Sequence, residues 1–170
     1  MLIFLIGFMG SGKSFIGRNI APILQYDYID SDKFIEEQEA CSIKEIFEQK
    51  GETYFRQLEH DFLVSLNPTD NIVISTGGGM PCFNNNMALM NEKGLSIYLN
   101  RSKELVIPRL LKGQYKRPLI VELSKDELEK FYDEKLASRK EFYEQAILSV
   151  GDANADEIVT ILNEYISTNQ

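Results

Sequence analysis

The sequence GFMGSGKS at residues 7–14 directly follows the apolar run LIFLI at residues 2–6 and precedes an amphipathic stretch. It fits the pattern GxxxxGK[ST], whose glycines let backbone amides point at phosphate oxygens where a helix begins. Lys13 would then reach the β- and γ-phosphates of a nucleotide, and the Ser14 hydroxyl would bind Mg²⁺. Because a strand precedes the motif and a helix follows it, we interpret it as a phosphate-binding loop rather than an incidental glycine-rich turn.

Short apolar runs of the kind that form strands buried on both faces recur along the chain and alternate with helical periodicity. We predict five parallel strands, at residues 2–6, 26–29, 72–75, 95–99 and 147–150. Apolar residues at helical spacing predict two helices that pack on this sheet, through Ile16, Ile20, Ile23 and Leu24 near the start and Ile158, Ile161, Leu162 and Tyr165 near the end. The alternation indicates an α/β fold.

Several residues mark where helices begin, end or break. Capping-box spacing, which predicts a helix start, occurs in the pairs Ser42/Glu45 and Ser124/Glu127. Gly51 is placed to interrupt the helix that begins near Ser42. Pro22 removes a backbone donor from the first helix, so we expect a bend or an early end there.

Composition excludes several classes of protein. The chain has 170 residues, of which 44% are apolar and 26% charged. This length and composition predict one globular domain over residues 1–170. The net charge of −8 disfavours nucleic acid as a partner. Cys41 and Cys82 have neither disulfide nor zinc spacing, which indicates reduced thiols. The N-terminus lacks the basic lead and cleavage pattern of a signal peptide, so we expect a cytoplasmic protein without a membrane partner. Few apolar residues are expected on the surface, and a monomer is therefore the default expectation.

Two carboxylates stand where the second predicted strand ends, in YIDSD at residues 28–32. Ligands bind at the carboxyl ends of strands in open α/β sheets. One of Asp30 and Asp32 could support Mg²⁺ through water while the other accepts a proton from a substrate hydroxyl. The alternative is that a carboxylate here only caps the following helix.

The end of the third strand and two arginines suggest a site for a small polar molecule. Residues 75–79 read STGGG, and three glycines expose amides and leave room for a ligand, although a plain turn is the alternative. Arg56 and Arg139 could bind a carboxylate together, with Glu59 orienting Arg56 through an ion pair. Each arginine alone is more commonly a surface residue.

Residues 112–123, KGQYKRPLIVEL, interrupt the helical pattern with Gly113 and Pro118. Three basic residues are concentrated there in an otherwise acidic chain. We interpret the segment as a mobile basic loop, and the alternative is a solvated loop without a function.

In this order, GFMGSGKS, YIDSD, the arginine of YFRQLE, STGGG, KRPL and ASRKEFY resemble the motifs of the shikimate kinase family, over about residues 1–150. The resemblance implies a P-loop NTPase fold like that of nucleoside monophosphate kinases, with a five-stranded parallel sheet flanked by helices. It also implies a substrate-binding helical region at about residues 32–62 and a lid at about residues 112–123. The implied activity is phosphorylation of the 3-hydroxyl of shikimate by ATP and Mg²⁺, in the chorismate route to aromatic amino acids.

The same resemblance implies roles for individual residues. The implied catalytic set is Asp32, which would take the hydroxyl proton, with Lys13 and Arg117. The implied nucleotide-binding set is Gly10, Ser11, Gly12, Lys13, Ser14, Phe15, Arg109 and Arg117. The implied shikimate-binding set is Asp32, Arg56, Gly78, Gly79 and Arg139. Ser14 and Asp30 would hold Mg²⁺, while residues 151–155 should face the adenine but match no motif.

Two other functions remain possible at this point. The first is phosphorylation of a different small metabolite, as in gluconate kinases, although a neutral sugar has no use for two guanidinium groups that converge on one carboxylate. The second is a nucleotide-dependent switch or binding module that turns over no metabolite. Turnover assays with and without shikimate would separate the three.

Overall fold

The computed structural model describes residues 1–116 and 119–168. The strands are β1 (Leu2–Ile6), β2 (Asp27–Asp30), β3 (Ile72–Ser75), β4 (Gly94–Leu99) and β5 (Leu148–Val150). The α-helices of these ranges are α1 (Lys13–Leu24), α2 (Ser31–Glu39), α3 (Ile43–Ser65), α4 (Asn86–Lys93), α5 (Lys103–Lys112), α6 (Lys125–Ala137), α7 (Lys140–Tyr143) and α8 (Ala155–Thr168). Two 3₁₀ turns, Met80–Cys82 and Gln114–Lys116, lie between them.

The five strands form one parallel sheet in the order β2-β3-β1-β4-β5. β1 lies in the centre, where Leu2 pairs with Ile72 of β3 on one side and with Gly94 of β4 on the other. All five residues of β1 are buried, as expected for a strand that helices cover on both faces. The predicted α/β fold with a five-stranded parallel sheet is confirmed, and its strand order reverses at β1, directly before the phosphate-binding loop.

Separate apolar layers cover the two faces of the sheet. On one face, Ile16 and Ile20 of α1 and Ile158 and Leu162 of α8 are buried against the strands. The other face packs against residues of α3 to α7, and a small third cluster joins α2 to α3. The prediction that Ile23 faces the sheet is wrong, because its side chain is 53% exposed. The buried residues of α1 are Ile16, Gly17, Ile20 and Ala21, so the core face lies on their side of the helix and Ile23 is at its edge, while Leu24 packs against the core as predicted.

The helix boundaries follow the local signals. Both predicted capping boxes are present, at the starts of α3 and α6. Gly51 adopts non-helical angles (φ 82°, ψ 170°) and kinks α3, as predicted. Pro22 lies inside α1, which ends two residues later at Leu24.

The loop after α5 is fastened to the core on its far side. Gly113 ends α5, and the side-chain amide of Gln114 donates hydrogen bonds to the carbonyls of Ile120 (2.5 Å) and Leu123 (2.6 Å). The Ile120 side chain is fully buried. Arg117 and Pro118 lie outside the described residues, so the predicted lid stays a prediction.

Two further findings concern the thiols and the membrane. Cys41 and Cys82 are both free cysteines. Within the described ranges, the helices are too short or too polar to span a bilayer.

Candidate active site

The loop between β1 and α1 is shaped by glycines with positive φ. Gly10 has φ of 80°, and a methyl group placed on it would lie 2.8 Å from Leu110 of α5. Gly12 (φ 93°) immediately precedes α1. The Lys13 ammonium donates to the carbonyls of Gly7 (2.8 Å) and Phe8 (3.0 Å). The side chain of Lys13 therefore folds back over the phosphate-binding loop. Backbone amides and one cation are thus gathered at a helix N-terminus, which suits a phosphate group.

A cleft of about 850 Å³ opens beside this loop. It is lined by Met9, Gly10, Ser11, Gly12, Lys13, Ser14, Phe15, Ile16, Asp30, Asp32, Thr76, Gly78, Arg101, Leu105, Arg109, Asp152, Ala153, Asn154 and Ala155. Every residue predicted to bind the nucleotide therefore borders the cleft, apart from Arg117, which lies outside the described residues. Phe15 is 70% exposed, and residues 152–155 border the cleft as well.

Asp30 joins the phosphate-binding loop to the start of α2. One carboxylate oxygen accepts hydrogen bonds from the hydroxyls of Ser14 (2.8 Å) and Tyr28 (3.3 Å), and the other accepts from the Lys33 amide (3.4 Å). Asp30 is the N-cap of α2 and also faces the Ser14 hydroxyl, so its capping role is compatible with the predicted role in binding Mg²⁺. A hydroxyl and a carboxylate side by side are hard oxygen donors that fit Mg²⁺.

Asp32 lies in the first turn of α2, not on a continuing strand. β2 ends at Asp30 and α2 begins at Ser31, so the two carboxylates lie on different elements. Asp32 borders the cleft, and its Oδ1 is buried without a hydrogen-bond partner in the described part of the chain. Burial, and then the charge of Asp30, raise its pKa to about 6. With this pKa the Asp32 carboxylate is still mostly ionised at pH 7, and the value is close to the pKa that suits a general base.

The predicted ion pair between Arg56 and Glu59 is present on α3. Arg56 Nη1 donates to Glu59 Oε2 (2.6 Å), and Glu52 accepts from Nε (3.1 Å) and Nη2 (3.0 Å). The Phe83 ring lies 4.1 Å from the guanidinium carbon, which is a cation–π contact. Glu59 is fully buried, and burial raises its pKa to about 7 although Arg56 opposes the shift. The ring and two carboxylates hold the Arg56 guanidinium in one orientation.

The glycine triplet lies between the two arginines. A methyl group placed on Gly78 would be 3.3 Å from Arg139 Nη1, and one placed on Gly79 would be 2.8 Å from Arg56 Nη1. The structure thus brings Arg56 and Arg139 to one short backbone segment, which adjoins the cleft at Gly78. Two guanidinium groups beside the half-buried Gly78 form a site that suits a carboxylate.

Sequence reasoning missed two residues of this region. Tyr143 of α7 is fully buried, and its hydroxyl donates to the Gly78 carbonyl (2.5 Å). Arg101, after β4, is buried and borders the cleft. Its place at the carboxyl end of a strand was the signal available in the sequence. No comparable pattern pointed to Tyr143, which is one of several aromatic residues in its segment.

Comparison with known proteins agrees with this arrangement. A family model described as shikimate kinase matches residues 9–169. The chain belongs to the shikimate kinase family. One relative, the shikimate kinase of Flavobacterium johnsoniae, is 41% identical over 161 residues, which cover 92% of this chain and 94% of the relative. The shikimate kinase of Clostridium botulinum is 42% identical over 165 residues, which cover 96% of this chain and 95% of that relative.

Solved structures of the family share the architecture over almost the whole chain. The shikimate kinase of Bacteroides thetaiotaomicron has a TM-score of 0.90 at 35% identity, with 98% of both chains covered. The shikimate kinase of Acinetobacter baumannii, solved in complex with shikimate, has a TM-score of 0.84 at 30% identity, covering 98% of this chain and 93% of that one. A deoxyadenosine kinase of M. mycoides, at 19% identity and a TM-score of 0.60, shares only the fold.

Proposed function

We propose that the chain is an ATP-dependent kinase that phosphorylates the 3-hydroxyl of shikimate. The observation that carries the proposal is the convergence of Arg56 and Arg139 on Gly78 and Gly79, next to Asp32. A ring that bears a carboxylate and hydroxyls needs both features, a paired cationic site for the acid and a base near the alcohol. Relatives named shikimate kinase align with this chain over most of their length.

The nucleotide end of the cleft supports the use of ATP. Amides of the loop at residues 10–14, together with the N-terminus of α1, would hold the phosphates, and Lys13 would reach the β- and γ-phosphates. Ser14 and Asp30 would hold Mg²⁺, which neutralises charge on the phosphates when it is bound. Arg109 and residues 152–155 border the far side of the cleft and would face the adenine.

The acceptor hydroxyl would lie beside Asp32. Its oxygen forms a bond to the γ-phosphorus while the bond from that phosphorus to the β–γ bridging oxygen breaks, and the hydroxyl proton passes to the Asp32 carboxylate. The products are the phosphate ester and ADP. Asp32 borders the cleft, so its carboxylate lies where the hydroxyl of a bound substrate can reach it.

The carboxylate of shikimate would be held by the two arginines. Glu59 and Glu52 keep Arg56 oriented before the substrate arrives, which reduces the entropy lost on binding. We also propose that residues 32–62 form the substrate-binding region and that residues 112–123, with Arg117, close over the bound substrates. Closure would exclude water and so limit the hydrolysis of ATP.

A coupled assay of ADP release tests the proposal. The purified protein, MgATP and a panel of hydroxy acids and polyols that includes shikimate and gluconate are mixed separately. We expect rapid ADP release with shikimate and a background rate with the others. Turnover of gluconate but not shikimate would favour a different metabolite kinase. ATP hydrolysis at the same rate with every compound would indicate a switch, and either outcome contradicts the proposal.

A further inference from the structure

Arg101 is a buried arginine that joins three loops around the cleft. It is only 7% exposed. Its Nε donates to the carbonyl of Ser11 in the phosphate-binding loop (3.3 Å), and its Nη1 donates to the carbonyl of Gly151 after β5. The loop after β4, the phosphate-binding loop and the loop after β5 therefore meet at one guanidinium group.

The backbone on either side of Arg101 is fixed to the loop after β5. The Asn100 amide donates to the Val150 carbonyl (2.8 Å), and the Ser102 amide donates to Asp152 Oδ1 (2.9 Å). The side chain of Arg101 thus extends from a rigid base across to Ser11. In a trans peptide the carbonyl and the next amide point in opposite directions, so holding the Ser11 oxygen also orients the Gly12 amide.

The charge of Arg101 is not neutralised by an ion pair. In residues 1–116 and 119–168, no carboxylate oxygen lies within ion-pairing distance of it, whereas Arg56 contacts two carboxylates. Burial and the nearby charge of Arg109 both lower its pKa, and Asp152 and Glu157 oppose this only from a distance. A buried cation without a counter-ion is unfavourable in the empty protein, and an anion entering the cleft that it borders would relieve the penalty.

We propose that Arg101 is a positioning residue for nucleotide binding. It holds the phosphate-binding loop against the loop after β5 and adds positive charge to the cleft that a nucleoside polyphosphate enters. Arg101 acts through the carbonyls of Ser11 and Gly151. Its role therefore differs from that of Lys13, which belongs to the phosphate-binding loop and would contact the phosphates directly. This inference rests on the proposed ATP site.

Calorimetric titration with MgADP, without shikimate, tests the role. Hydrogen bonds to charged groups are strong enough that we expect Arg101→Gln to weaken MgADP binding by about tenfold or more. The KM for ATP should rise by a similar factor, while the KM for shikimate changes less than about twofold, since Arg56 and Arg139 are untouched. Lys103→Gln is the matched control, because it removes a cation two residues away that pairs with Glu129 and Asp133.

Arg101→Lys separates the bridge from the charge. Lysine keeps the charge but cannot donate to two carbonyls through a planar fork, so its affinity for MgADP should lie between those of the wild type and Arg101→Gln. Native affinity in Arg101→Lys would overturn the bridging role, and this variant also serves if Arg101→Gln does not fold. Folded Arg101→Gln with native affinity, or with equal losses for MgADP and shikimate, would overturn the proposal. Because no phosphoryl transfer is measured in the titration, the result is independent of whether shikimate is the acceptor.

Discussion

Asp32 and Glu59 direct their unpaired oxygens at the same glycine. A methyl group placed on Gly77 would lie 2.5 Å from Oδ1 of Asp32 and 3.0 Å from Oε1 of Glu59. Both oxygens are buried and lack hydrogen-bond partners in the described ranges. Gly77 itself is fixed, since its amide donates to the Ser31 hydroxyl (3.0 Å). Because Gly77 has no side chain, the carboxylates of Asp32, the proposed base, and Glu59, which orients Arg56, can both pack against it.

Gly77→Ala should displace Asp32. The added methyl group needs the space of its carboxylate, and a displacement of about 1 Å in a catalytic group can lower activity by roughly a hundredfold. We expect kcat for shikimate phosphorylation to fall by about that factor. The measurement is steady-state kinetics with both substrates varied. Binding of MgADP is the internal control and should remain native, because Gly77 does not border the cleft. Wild-type kcat in this variant would show that Asp32 does not need its observed position.

Asp32→Asn removes a proton acceptor while preserving the size of the side chain. Loss of a general base lowers kcat by about a hundredfold or more. A kcat within about threefold of the wild type would exclude Asp32 as the base, because the transfer would then need none.

The pH dependence of the wild-type protein gives a second test of Asp32. Its pKa is raised to about 6, and only the ionised carboxylate can accept a proton. Activity from this group is therefore present above pH 6 and should fall by roughly tenfold per pH unit below it. The experiment compares kcat/KM for shikimate between pH 5 and 8 in the wild type and in Asp32→Asn. The acidic limb should be absent from the variant, and an identical limb in both proteins would assign it to another group.

Arg56→Lys and Arg139→Lys test the carboxylate site. Lysine retains the charge but not the paired donors, so each change should raise the KM for shikimate by about tenfold while leaving the KM for ATP near its native value. Lys140→Gln is a control, because Lys140 is adjacent to Arg139 and forms an exposed ion pair with Glu144. An unchanged KM for shikimate in both arginine variants would argue against the proposed carboxylate site.

Tyr143→Phe tests whether the glycine triplet must be held in place. The tyrosine hydroxyl donates to the Gly78 carbonyl, and its loss frees the peptide that adjoins both arginines. We expect the KM for shikimate to rise by about threefold to tenfold, which corresponds to one net hydrogen bond. Tyr98→Phe is the matched control, since its ring packs 5.2 Å from that of Tyr143 but its hydroxyl is not the donor to Gly78. Equal effects of the two changes would indicate a general loss of packing.

The fold was predictable because its signals are local. A buried parallel strand is an apolar run, a capping box is a fixed spacing, and the phosphate-binding loop is a contiguous motif with its strand and helix beside it. Errors arose where tertiary packing decides, as at Ile23. Helical spacing places that residue near the core face, but packing against the sheet selects the side of α1 that carries Gly17 and Ala21, which leaves Ile23 exposed.

The site was predictable in part, for a related reason. Residues that contact phosphate lie within one motif, and Asp30 and Asp32 lie at a strand end, where ligands bind. The burial of Glu59, the bond from Tyr143 to Gly78 and the bridge by Arg101 each depend on segments distant in sequence that meet only in the folded chain. In sequence, a buried arginine between two carbonyls has the same appearance as a surface arginine.

Asp30 has a bearing on how mutational data for this site are to be interpreted. The same carboxylate faces Ser14 and begins α2, the helix that carries Asp32. Replacing it would therefore disturb cation binding and the placement of the proposed base at once, and the two losses would not be separable in a single variant. Two double-mutant cycles, one that pairs Asp30 with Ser14 and one that pairs Asp30 with Asp32, would apportion them, because effects that pass through a shared residue are not additive.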